Sequence, residues 1–86
     1  TQPWKFLTWN KKGDGLVINN PSDYVVRITA SFKTLPSGKA GVLDKTYILP
    51  HTSIKTTLPN FSDNKVEFYP ASRYGYKGDR FTTDLK

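Results

Sequence analysis

An all-β, antiparallel fold is what this 86-residue sequence predicts, and three observations carry the prediction. Tyr24, Val26, Ile28, Ala30 and Phe32 alternate with Val25, Arg27, Thr29 and Ser31, the period-2 pattern of a strand with one buried face. Turn signals built on Gly, Pro, Asn and Asp recur about every 8–12 residues. No stretch carries the apolar periodicity of a helix.

Each element follows from local chemistry. Residues 4–9 and 15–19 are short strand candidates, joined through Lys11-Lys12-Gly13-Asp14-Gly15, whose Gly and Asp-Gly content suits a hairpin. Asn19-Asn20-Pro21-Ser22-Asp23 is a tight turn running into the strand from Tyr24 to Phe32. Leu35-Pro36-Ser37-Gly38 is another turn, with Pro presetting φ and Gly relieving the bend. Strands over 42–49 and 53–58 follow, separated by Pro50-His51-Thr52, with Ile54, Thr56 and Leu58 sharing a face of the second. After a loop over 59–64, Val66 and Phe68 alternate with Glu67 and Tyr69, and the last strand, 80–85, turns Phe81, Thr83 and Leu85 inward. About seven short strands in one small domain fit an immunoglobulin-like antiparallel β-sandwich spanning residues 1–86. A small barrel of the oligonucleotide-binding type is the rival architecture. With two Trp, five Tyr and five Phe, much of the core is expected from Trp4, Phe6, Trp9, Phe32, Phe68, Phe81 and the tyrosines.

Composition narrows the function classes. There is no cysteine, so neither a disulfide framework nor a thiolate metal site exists. His51 is the single histidine and reads as a solvated loop residue without partners for a metal site. No nucleophile elbow, oxyanion loop or phosphate loop is present. No enzyme activity, cofactor or metal is therefore expected. No apolar run approaches the roughly 18 residues of a membrane span. The chain contains no methionine and begins at Thr1, so it reads as processed or as a piece of something longer.

Thirteen basic against seven acidic residues give a formal charge of +6, which favours an acidic partner. Aromatics on an all-β scaffold would serve single-stranded nucleic acid as stacking platforms. Against that, the basic residues are dispersed, with only Lys11 and Lys12 adjacent, and several aromatics share faces with Val and Ile. A single-stranded nucleic-acid-binding barrel and a free-standing structural or adhesive module stay as alternatives, and no nucleic-acid partner is expected. Asn60-Phe61-Ser62 matches a glycosylation sequon, while Lys12-Gly13-Asp14 and Lys77-Gly78-Asp79 resemble integrin-binding tripeptides. Turn chemistry accounts for both tripeptides.

The segments LVINNPSDYVVRIT, YILPHTSIKTTLP and VEFYPASRYGYKGDRFTTDL occur in this order. In order and spacing they resemble the second, C-terminal domain of the periplasmic pilus chaperones of the chaperone-usher pathway, and the opening WKFLTW resembles that domain's start. The resemblance covers nearly the whole chain. It implies a two-domain periplasmic chaperone that binds pilus or fimbrial subunits and passes them to an outer-membrane usher. It also implies that the donor strand and the carboxylate-anchoring basic pair lie in an N-terminal domain outside these residues. This chain would then form one side of the interdomain cleft. Family members often carry an acidic residue before the late Tyr-Gly, where it fixes the interdomain angle. Here Arg73 precedes Tyr74-Gly75, so that salt bridge does not carry over, and a rewired pair with Asp23, Asp79 or a carboxylate of the missing domain is the expectation.

In an immunoglobulin-like topology the second-to-third and sixth-to-seventh strand connections share one end. Residues 19–23 should therefore neighbour residues 73–79, with the chain start at the same end. Asn20, Pro21, Asp23, Arg73, Tyr74 and Lys77 are the candidate interdomain or partner contacts. The plainer reading has Asn20 and Asp23 capping turn amides, and Tyr24 and Tyr74 covering the open end of the core. Exposed edge strands also permit a homodimer.

Overall fold

The computed structural model describes residues 2–58, 62–72, 74 and 76–86. Among these residues, nine strands follow a single 3₁₀ turn, Pro3–Phe6: β1 (Thr8–Lys12), β2 (Gly15–Asn20), β3 (Val26–Arg27), β4 (Ser31–Leu35), β5 (Lys39–Val42), β6 (Tyr47–Ile48), β7 (Thr52–Thr57), β8 (Lys65–Phe68) and β9 (Phe81–Asp84). They form a sandwich. One sheet has the order β1-β2-β7, the other β5-β4-β8-β9, and β3 pairs with β6 in a separate two-stranded ladder.

The hairpin between β1 and β2 turns on Gly13-Asp14, with Lys12 opposite Gly15. Gly13 takes φ +62°, the left-handed value that a two-residue hairpin requires and glycine adopts freely. Along β2 the alternation is complete: Leu16, Ile18 and Asn20 are buried, whereas Gly15, Val17 and Asn19 are half-exposed. Beyond Leu85 the chain crosses to the first sheet. Trp9 bridges Leu85 in parallel, Lys11 N–H donates to the Lys86 carbonyl at 2.8 Å, and Lys86 N–H donates to the Trp9 carbonyl at 2.9 Å. This closes one side of the sandwich.

Three expectations need correction. Residues 4–6 are a 3₁₀ turn rather than strand, because Pro3 fixes the first φ in the helical range, and the strand starts at Thr8. The long strand from Tyr24 is divided into β3 and β4. Ile28 faces Pro70 while Lys33 faces Glu67, so the two chains slip by two residues. An even slip keeps every side chain on its original face, which is why Val26, Ile28, Phe32 and Thr34 are all buried. The strand over 42–49 starts earlier, at Lys39, and breaks after Val42: Leu43 and Ile48 are both buried, and residues five apart cannot share one face of a continuous strand.

The core is more aliphatic than expected. Leu7, Leu16, Ile18, Val26, Ile28, Leu43, Ile48, Leu58, Val66 and Leu85 surround three fully buried rings, Trp9, Phe32 and Phe68. Trp4 and Phe81 pack at its margin. Phe6, Tyr24, Tyr74 and Tyr76 are more than half exposed, so Tyr24 leaves the inner face assigned to it. Trp9 lies 5.5 Å from Phe32 and 5.2 Å from Phe68 between ring centroids.

Gly41 stands opposite Phe32 across β5 and β4. A Cβ there would sit 2.3 Å from the tip of the Phe32 ring, and Trp9 blocks the ring's retreat. Gly41→Ala should cost about 1–3 kcal/mol, a fall in Tm on the order of 5–20 °C for a chain of this size, measured by thermal denaturation.

At the end bearing the β4–β5 turn, the Asp63 carboxylate accepts hydrogen bonds from the Ser37 hydroxyl and from Ser37 N–H at 3.1 Å. The Ser37 hydroxyl is the main cause that holds the Asp63 carboxyl below its ordinary value of 3.8, against burial, which opposes it. A lowered folded-state value means stability that is present above the ordinary carboxylate range and lost as pH falls through the folded value. The Asp63→Asn variant should therefore lose less stability than the parent on acidification below about pH 4, measured by urea titration at stepped pH. A smaller slope should persist from Asp84, which the Lys65 ammonium lowers through a hydrogen bond and its charge.

Candidate functional site

Four segments meet at one end of the sandwich. The Pro3–Phe6 turn leads into β1, residues 21–25 join β2 to β3, residues 49–51 join β6 to β7, and Ala71, Ser72, Tyr74, Tyr76 and Lys77 follow β8. Ala71 N–H donates to the Arg27 carbonyl at 2.9 Å, which fixes the last segment beside the start of β3.

Asn20 organises the second and third segments. Its side chain is fully buried at the end of β2. Its amide nitrogen donates to the carbonyls of Tyr24 at 2.7 Å, Ile48 at 3.0 Å and Leu49 at 3.1 Å. Its amide oxygen accepts from Ser22 N–H at 3.1 Å and from the Ser22 hydroxyl at 2.6 Å. The Ser22 hydroxyl in turn accepts from Tyr24 N–H at 3.2 Å. These bonds turn the chain before Val26, and Tyr24 is carried outward with the turn. Asn20 itself presents nothing to a partner: it shapes the loop from inside.

Pro21 and Asp23 are exposed on that loop. Asp23 accepts from His51 through Nε2, a link between the β2–β3 loop and the β6–β7 turn. His51 takes φ +56°, an uncommon backbone value for a non-glycine residue. His51 is the solvated loop residue that composition suggested, with a carboxylate partner that sequence spacing could not reveal. Phe6, Pro21, Ser22, Asp23 and Tyr24 line a shallow depression of about 320 Å³.

The loop after β8 is closed on itself. Ala71 bridges Lys77, Ser72 N–H donates to the Tyr76 carbonyl at 2.9 Å, and the Ser72 hydroxyl accepts from Tyr74 N–H and Tyr76 N–H at 3.2 Å each. Gly78 N–H donates to the Pro70 carbonyl at 2.7 Å, which accounts for the Lys77-Gly78-Asp79 tripeptide as turn chemistry. Tyr74 and Tyr76 project into solvent at 75% and 77% exposure. Lys77 places its ammonium 4.3 Å from the Tyr69 ring centroid, a cation–π contact. Arg73, with its expected ion pair, and Asn60-Phe61 of the sequon lie outside the described residues.

Two groups of expected contacts thus share an end. Pro21 and Asp23 stand with His51 and Phe6, while Tyr74 and Lys77 stand on the loop beside Arg27. Phe6, Val25 and Leu49 join the exposed apolar surface here and were missed by sequence reasoning. The parity of Ile48 against Leu49, with only one able to face inward, was the available signal for Leu49. Among the described residues no group of His, Cys, Asp or Glu is arranged to hold a metal ion. Among the same residues no helix is long and apolar enough to cross a membrane.

Comparison with known proteins agrees with this architecture. Residues 2–81 match the family described as pili assembly chaperone PapD, C-terminal domain. Over 85 residues the chain is 65% identical to an uncharacterized fimbrial chaperone, YhcA, of Escherichia coli strain K12, covering 99% of this chain and 38% of that protein. The crystal structure of the CupB2 chaperone of Pseudomonas aeruginosa shares the fold with a TM-score of 0.63 at 23% identity, covering 96% of this chain and 40% of that one. The chain spans about two fifths of the length of these relatives.

The buried amide makes a prediction for the loop end. Asn20→Ala should destabilise the chain by about 1–3 kcal/mol, since it leaves buried carbonyls unpaired. Asn20→Asp should cost more at neutral pH, because a carboxylate has no proton to offer three carbonyls. Urea denaturation midpoints of the three proteins measure both.

Proposed function

Because the chain belongs to the family of pili assembly chaperone C-terminal domains, we propose that it acts as the second domain of a two-domain periplasmic chaperone. That chaperone binds pilus or fimbrial subunits and delivers them to an outer-membrane usher. The family is one of assembly chaperones rather than enzymes. In this reading the sister domain donates the strand that completes a subunit, and the present domain forms one wall of the cleft between the two.

One observation supports the placement. Phe6 and Tyr24 line one depression with Pro21, Ser22 and Asp23, and Val25, Leu49, Tyr74 and Tyr76 are exposed on the segments that follow β2, β6 and β8. Large apolar side chains gathered on one surface mark a contact. Asp23, linked to His51, supplies a polar group beside Phe6 and Tyr24, in keeping with the apolar-centre and polar-rim arrangement of a protein interface. Interdomain contacts of about 600–1,500 Å² are more polar than obligate interfaces, which suits this mixed surface. Arg73, which precedes Tyr74 in sequence, would in this reading pair with Asp23, Asp79 or a carboxylate of the sister domain to fix the angle between domains.

The test needs the full-length protein. Introducing Phe6→Asp and Tyr24→Asp together should change the interdomain orientation, read by small-angle scattering, and slow capture of an unfolded pilus subunit. The stability of this chain alone should move by less than about 1 kcal/mol, since both side chains are surface groups. Unchanged orientation together with unchanged capture would overturn the assignment of this end to the domain interface.

A further inference from the structure

Strand β7 ends its sheet: β2 pairs with one side of it, and no described strand pairs with the other. In a constant-type immunoglobulin sandwich a fourth strand lies there. Here residues 39–48 pair instead with β4 and β3, through β5 and β6. The outcome is a groove along the free edge of β7, walled on its far side by residues 42–49. At the Thr57 end it opens into a depression of about 520 Å³ that also runs over the β1–β2 hairpin, lined by Lys12, Gly15 and Val17 as well as Val42, Lys55 and Thr56. Two smaller depressions, about 240 and 210 Å³, continue it past Lys45 toward Leu49. At about 3.4 Å per residue the six-residue edge is roughly 20 Å long. Thr56 Oγ1 donates to the Val42 carbonyl at 3.2 Å and ties the two walls together at one point.

We propose that this edge accepts an extended segment of a partner polypeptide as an added strand, and that the segment carries an apolar–acidic–apolar pattern. The register dictates the pattern. Lys55 is the single charged residue of β7 and shares the outer face with Val17 opposite it. A residue paired with Lys55 on an added strand comes within about 5 Å of it, and a carboxylate there makes the ion pair. Its neighbours, beside Ile54 and Thr56, point to the inner side, toward the far wall. Val42 is 69% exposed on that wall, an apolar surface that the loop end does not use.

Charge selects the occupant. Lys45 and Lys55 outnumber Asp44 beside the edge, and the chain as a whole carries +6, so an acidic segment is drawn to it. A second copy fits less well. Pairing Ile54 with Ile54 would set Lys55 against Ser53, gaining no ion pair, while bringing two chains of +6 together.

Two synthetic heptapeptides of alternating valine and threonine, one with glutamate and one with lysine at the central polar position, test this by NMR titration of the labelled chain. The glutamate peptide should shift and protect the amides of residues 52–57 and bind roughly fivefold more tightly than the lysine peptide. Lys55→Glu should reverse that order, and Lys55→Gln should abolish the preference; Lys55 is exposed, so its variants are expected to keep the parent's dispersed spectrum. Shifts confined to residues 19–25 and 71–77, an unchanged order in both variants, failure of the glutamate peptide to bind, or concentration-dependent pairing of β7 edges without peptide would each overturn the proposal.

Discussion

The indole of Trp9 holds the two sheets in one relation. It rises from β1 in the first sheet and lies against Phe32 of β4 and Phe68 of β8 in the second, while its own carbonyl takes the Lys86 amide. Its Nε1–H meets no acceptor among the described residues, and a buried unpaired donor costs about 1–3 kcal/mol. Burying roughly 150–250 Å² of ring at about 25 cal/mol/Å² contributes about 4–6 kcal/mol. The apolar term is larger, so the indole stays inside despite its orphan hydrogen. Once it does, Phe32 is pinned, and the strand facing Phe32 must carry glycine at position 41.

A sandwich closed through its middle in this way still has two open ends, and this chain treats them differently. One is tied by a carboxylate: Asp63 reaches across to the Ser37 backbone and hydroxyl. The other is tied by a neutral amide, Asn20, which spends all its hydrogen-bonding capacity on loop backbone and a serine. Because Asn20 satisfies the turn from within, the residues around it are released from capping duty. Pro21, Tyr24 and Leu49 can then face outward, and an exposed apolar surface becomes compatible with a rigid loop.

The sandwich class, the buried alternation from Val26, the inward set of the last strand and the shared end of two loops were legible because each rests on period-2 patterning or on topology. Tyr24 was misplaced because alternation extrapolates through a turn that only the Asn20 and Ser22 hydrogen bonds reveal. The slip between Ile28–Pro70 and Lys33–Glu67 is invisible in sequence for a physical reason: an even slip leaves the hydrophobic pattern untouched. The Asp23–His51 link depends on a contact between residues 28 positions apart, and neither residue type specifies the other. Phe6 was assigned to the core on hydrophobicity alone, although Pro3 had already removed the strand that would have carried it there.

The two exposed regions obey different energetics. At the loop end, exposed apolar side chains dominate, so the contact proposed there would gain from area and ask little of backbone geometry. Along β7 the offered groups are mostly main-chain amides and carbonyls, each hydrogen bond worth only about 0.5–1.5 kcal/mol net. Ordering a free segment costs about 1–2 kcal/mol per residue. Main-chain pairing therefore fails to hold a flexible strand by itself, and the balance passes to side chains: an ion pair at Lys55 and apolar cover over Val42. The same arithmetic protects the edge. A strand without that complement gains too little to stay, which is how a sheet with an open edge and a lysine at its centre avoids indiscriminate pairing.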